Sequence, residues 1–159
     1  MNQKTLSRWL RIIIVGCALC GIVIFGMVVP AMGLSMKLMN PEFAYCFWPW
    51  LVFIWLTAIP CYAALVLGWK ITGNIRTDRS FSRENARYLS WIAVLAAIDA
   101  AFFFLGNVVL LFMNMNHPGI MLAALIVVFS GGAVSVAAAV LSHLANKAAA
   151  LQEQSDLTI

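Results

Sequence analysis

The sequence predicts an all-α membrane protein, a four-transmembrane-helix bundle with both ends cytoplasmic (N-in/C-in) and the last helix extending into the cytoplasm. Three observations predict it. Apolar residues make up 64% of the chain and charged residues 10%, against about 45–50% and about 25% in a soluble domain. The apolar residues gather into four blocks, each matching the roughly 20 residues that cross a hydrocarbon core. Lys and Arg fall almost entirely on one side of the topology those blocks define. No Ser-, Pro- or charge-rich linker divides the chain, so residues 1–159 are read as one transmembrane domain.

The N-terminal segment carries Lys4, Arg8 and Arg11 and leads into the first span, Ile12–Leu34. That apolar run exceeds the 7–15-residue core of a signal peptide, so an uncleaved anchor is expected. The connection Ser35–Phe47 holds Lys37 alone and is placed outside. The second span, Trp48–Trp69, contains Pro60, which predicts a kink or local loosening. The 70–87 loop holds Lys70, Arg76, Arg79, Arg83 and Arg87 and is placed inside, as is the 142–159 tail with Lys147. Short basic segments resist translocation, and that sets the orientation. Aromatic side chains agree, with Trp9, Trp69, Tyr88 and Trp91 at one predicted interface and Phe43, Tyr45, Phe47, Trp48 and Trp50 at the other.

The third span is Tyr88–Phe112 and the fourth Gly119–Leu141. Helices approach closely in lipid where small residues repeat at four-residue spacing. Ala93, Ala97 and Ala101 on the third span and Gly131, Ser135 and Ala139 on the fourth satisfy that rule, which makes these spans neighbours. Ser82 is placed to cap the third helix, with Phe81 as a hydrophobic staple beside its first turn. Leu144, Ala145, Ala148 and Leu151 continue a helical stripe past the fourth span. The helix is expected to stop at Ser155-Asp156, leaving the apolar Leu157-Thr158-Ile159 to fold back or to add to a partner.

Asp99 lies about midway through the third span, where a carboxylate costs roughly 2.5–3.5 kcal/mol on insertion scales. Surrounding Leu, Ile, Val and Phe offset that, at about 0.3–0.6 kcal/mol each. Protonation would satisfy it, as would hydrogen bonds from Ser130, Ser135 or Thr57. Asp99, Ser130 and Ser135 therefore form the candidate intramembrane polar site. Two readings stay open for it: a polar clamp between helices, and a proton-coupled or ligand-contacting group.

Cys17 and Cys20 have the C-x-x-C spacing of thiol redox sites, but they sit in the inner half of the first span, and buried Cys is mostly a small packing residue. His117 lies in the outer connection and His143 at the inner end of the fourth span, away from the depth where a haem would be held. No metal-site or phosphate-loop spacing appears, so no cofactor is expected. The net charge of +4 follows from topology and does not argue for direct nucleic-acid binding.

Two stretches carry a resemblance. Arg79-Ser80-Phe81-Ser82-Arg83-Glu84-Asn85 followed by a span, and the ending Leu151-Gln152-Glu153-Gln154-Ser155-Asp156-Leu157-Thr158-Ile159, resemble the bacterial membrane family of domain of unknown function 2975. The resemblance extends over most of the chain and implies a multi-pass protein of the bacterial inner membrane. No activity comes with it, but it implies a partner: a small helix-turn-helix transcriptional regulator, often encoded alongside. Asp99 is outside the residues that carry the likeness.

The expected function is therefore a non-enzymatic membrane protein that binds, and regulates, a cytoplasmic DNA-binding partner. The candidate contact residues are Arg79, Phe81, Ser82, Arg83, Leu157, Thr158 and Ile159. An alternative is a small proton-coupled transporter, a homo-oligomer using Asp99; a more distant one is a quinone-linked thiol oxidoreductase.

Overall fold

A computed structural model describes residues 3–77 and 80–156. Four helices among them are long and apolar enough to cross a membrane. They are α1 (Gln3–Met39), α2 (Phe47–Arg76), α3 (Arg83–Phe112) and α4 (Pro118–Asp156). A short 3₁₀ helix, Pro41–Cys46, joins α1 to α2. Each helix outruns its apolar block because the backbone stays hydrogen-bonded past the lipid boundary. α4 exceeds its block most, continuing to Asp156.

The helices pack in chain order: α1 on α2, α2 on α3, α3 on α4. Among the described residues, no Cα atoms of non-consecutive helices come within 8 Å. The four-helix bundle is therefore an open one. α1 and α4 each present a broad apolar face outward, in keeping with a lipid solvent that makes such faces inexpensive.

α3 and α4 form the most extensive interface, as the small residues predict, but through a different pattern. The seam on α3 is Ala86, Leu89, Ala93, Ala96, Ala100, Phe103, Asn107 and Leu110, all buried or half-buried. Its partner on α4 is Ala124, Val128, Gly131, Ser135, Ala138, Ser142, Ala145 and Ala149. Both alternate three- and four-residue steps, the 3.5-residue repeat that keeps a seam facing its neighbour. Ala97, Ala101 and Ala139 are exposed instead. A strict four-residue step advances about 40° around a helix at 3.6 residues per turn, so it leaves the interface within two repeats. A Cβ on Gly131 would stand 3.2 Å from the Ala100 Cβ, which measures how near the two backbones come. Ser135 and Ser142 donate across the seam to the Ala93 and Ala86 carbonyls, both near 2.8 Å.

α1 docks on α2 through another alternating stripe, Ser7, Arg11, Ile14, Ala18, Gly21 and Phe25. Ser7 donates to the Thr72 carbonyl (2.8 Å), Tyr62 to Ala18 (3.1 Å) and Trp55 to Phe25 (2.9 Å). The last bond has a backbone cause. Over Ile24–Val28 the helix widens to a π turn, in which the Val29 amide bonds the Ile24 carbonyl. The next amide in that register would belong to Pro30, which has no N–H. The Phe25 carbonyl is thereby released, and the Trp55 indole takes it. Pro60, by contrast, lies within an α2 that is α-helical on both sides of it.

α2 and α3 meet at Gly106, whose missing side chain leaves room for the Phe53 ring. That ring stacks on Phe103 with centroids 5.6 Å apart. At the α3 terminus, Asn114 takes a left-handed conformation (φ 55°). The Asn114 and Met115 amides then bond back to Leu111 and Leu110, a Schellman stop with Asn in the place of the usual Gly.

Candidate functional site

The hydrogen bonds just described put the first turns of α1, the end of α2, the start of α3 and the end of α4 at one end of the molecule. Lys4, Arg8, Arg11, Lys70, Arg76, Arg83, Arg87 and Lys147 are all at this basic end, and Lys37 is at the opposite one. The charge asymmetry in the sequence is thus an asymmetry in space.

Ser82 caps α3 as predicted. Its backbone is extended (φ −118°, ψ 151°) and its hydroxyl accepts from the Asn85 amide at 3.2 Å, satisfying one of the free N–H groups of the first turn. Phe81 is not a staple: it is 62% exposed. The position that holds the loop is Asn85, only 1% exposed. Its Oδ1 accepts from Asn74 Nδ2 at 2.8 Å, and its Nδ2 donates to the Ser80 carbonyl at 3.0 Å. Ser80 in turn donates to Gln3 Oε1 at 3.0 Å. One side chain therefore joins the end of α2, the loop and, through Ser80, the start of α1. The sequence signal for it was an Asn three residues after a capping Ser, in a helix about to enter lipid.

Arg83 reaches from this turn to the projecting part of α4. Its Nε and Nη2 donate to the two carboxylate oxygens of Glu153 at 2.9 and 2.7 Å. The bond holds the Glu153 carboxyl below, and the Arg83 guanidinium above, its ordinary pKa. Ala145 and Ala149 stay buried, so α4 remains packed along this extension. Of the contact residues read from the sequence, Phe81, Ser82 and Arg83 thus share one surface with the tail. Arg79, Leu157, Thr158 and Ile159 lie outside the described residues.

The intramembrane polar site does not assemble as expected. Ser130 donates to the Ile126 carbonyl on its own helix, and Ser135 bonds Ala93. Thr57 donates to Ile54. Asp99 faces α2 rather than α4, and Cys61 is its partner, with Sγ 3.5 Å from Oδ2. Hydroxyls in a helix satisfy themselves on nearby carbonyls, which leaves none for an acid on the other face. The Asp99 Oδ1 is buried without a hydrogen-bond partner among the described residues. Cys17 and Cys20 are exposed, free thiols.

Four apolar helices joined through carbonyl-directed hydrogen bonds, with every described Lys and Arg but Lys37 at one end, define a polytopic integral membrane protein. The chain belongs to the family described as Protein of unknown function (DUF2975), whose model matches residues 31–159. It is 28% identical over 162 residues to the uncharacterized membrane protein YoaS of Bacillus subtilis (strain 168), covering 100% of both chains. No solved structure matches it.

Proposed function

We propose that this protein is a non-enzymatic docking protein of the bacterial inner membrane, whose basic end faces the cytoplasm and holds a soluble partner there. The observation that carries the reading is the Arg83–Glu153 pair, which makes the start of α3 and the end of α4 one surface. Phe81 stands exposed beside it, an aromatic side chain of the kind that anchors protein interfaces. The orientation follows from the weight of Lys and Arg at that end. The family resemblance makes a small helix-turn-helix regulator the partner of first choice. Deleting Ser155–Ile159 should abolish co-purification of the neighbouring regulator and change expression of its reporter. Unchanged results in both assays would exclude the reading.

A second reading is favoured by the Oδ1 of Asp99, buried without a partner among the described residues: an oligomeric, proton-coupled transporter in which this acid is the coupling group. Proton flux into proteoliposomes that falls on Asp99→Asn would support it, and unaltered flux would exclude it.

A further inference from the structure

The geometry points to a binding site for the phosphate of an anionic phospholipid, in a groove where the start of α1 crosses the end of α2. The groove encloses about 540 Å³. Lys4, Arg8 and Arg11, successive along one face of α1, line it together with Arg76 from the last turn of α2, and Ile12 and Val15 complete it farther along α1. Among the described residues, none of these four cations is paired with a carboxylate; the ion pair of this end is formed elsewhere, by Arg83 and Glu153. Four like charges around one opening repel one another, and an anion in their midst removes that cost.

Arg11 is already held in place for such a ligand. Its Nε donates to Thr72 Oγ1 at 3.2 Å, and its guanidinium carbon sits 4.9 Å above the Trp69 ring. Thr72 is anchored through its own hydroxyl to the Trp69 carbonyl at 2.7 Å. The Nη groups of Arg11 make no hydrogen bond within the described protein and keep the planar fork that matches a phosphate. Little side-chain entropy remains to be lost on binding.

The groove's position identifies the source of the phosphate as a lipid. Arg11 is followed directly by Ile12, the first residue of the apolar run, and Trp69 and the exposed Trp9 mark the same interfacial level. Ile12 and Val15 are exposed and apolar, so an acyl chain continues from the charged opening along α1, where a soluble phosphate would leave that surface uncovered.

The experiment is native mass spectrometry and lipid exchange on the full chain in nanodiscs, with phosphatidylglycerol, phosphatidylcholine and inorganic phosphate as separate arms. The wild type should retain phosphatidylglycerol over phosphatidylcholine. Arg8→Gln with Arg76→Gln should weaken that retention at least about ten-fold, Arg8→Lys with Arg76→Lys should largely restore it, and Arg87→Gln with Lys147→Gln should leave it near wild type. Inorganic phosphate at millimolar concentration should neither bind nor compete. Equal retention of the two lipids by the wild type would overturn the proposal without recourse to any variant. Equal loss in both Gln pairs would reduce it to general surface charge, and binding of phosphate alone as firmly as the lipid would refute the lipid source.

Discussion

Arg83 and Glu153 are 70 residues apart in the chain and meet in a two-pronged bond, 2.9 and 2.7 Å long, at the basic end of the helices. The pair is exposed to water, so its importance is geometric: it fixes where the last turns of α4 stand relative to the capped start of α3.

Its pH dependence follows from the direction of the Glu153 shift. A carboxyl whose pKa is lowered in the folded state contributes stability above its ordinary pKa, about 4.3 for glutamate, and loses that contribution as pH falls through the lower folded value. Spin labels at positions 81 and 152 should therefore keep one separation from neutral pH down to that range and spread below it. Arg83→Gln should show the spread already at neutral pH. A separation that ignores both changes would mean the pair does not hold the tail.

Asn85 is expected to be the most sensitive polar position at this end. Asn85→Ala leaves the Asn74 amide and the Ser80 carbonyl without their partner, at about 1–3 kcal/mol for each buried group stranded. Chemical unfolding in mild detergent should register that loss, with faster amide exchange across 74–77 and 80–82. A change below about 0.5 kcal/mol would show that the loop is held by something else.

The bond from Trp55 to Phe25 and the absent N–H of Pro30 are one device, and a double-mutant cycle exposes it. Trp55→Phe should cost about 0.6 kcal/mol and at most about 1.7, the average and the maximum found for interhelical hydrogen bonds in lipid. With Pro30→Ala in place an amide is available to the Phe25 carbonyl, and the same replacement should cost distinctly less. Strict additivity in a steric-trapping measurement would separate the two features.

Two glycines of similar helical setting should respond oppositely to Ala. A Cβ on Gly106 enters the Phe53 ring, which is itself stacked on Phe103, so Gly106→Ala should destabilise by about 1–3 kcal/mol. A Cβ on Gly132 meets nothing within 4 Å, and Gly132→Ala should stabilise by up to about 1 kcal/mol through helix propensity. Thermal unfolding of both variants tests the α2–α3 contact directly.

Much of the architecture was legible because lipid imposes it: span number, spacing and the segregation of Lys and Arg all follow from composition. The cap at Ser82 was legible because its chemistry is local. Packing was less so. Ala93, Ala97 and Ala101 look like an interface when four-residue spacing is the guide, yet the chain uses the alternating step that selects Ala93, Ala96 and Ala100. The partner of Asp99 is not legible, because the sequence does not tell which face of α3 turns toward α2, and Ser130 and Ser135 are committed to carbonyls. The role of Asn85 as a hub is not legible in the sequence, since its partners come from α2 and from the loop, a convergence that exists only in space.

The central claim, that the start of α3 and the end of α4 form one docking surface, is tested most directly by site-specific photocrosslinking in living cells. A benzophenone residue at position 81 and, separately, at position 152 should capture the same soluble protein, with a third at the outward-facing Val134 as control. The prediction is one shared partner from both positions, its yield cut at least about five-fold by Arg83→Gln and absent from position 134. Crosslinks to lipid alone, or to unrelated proteins unaffected by Arg83→Gln, would contradict it.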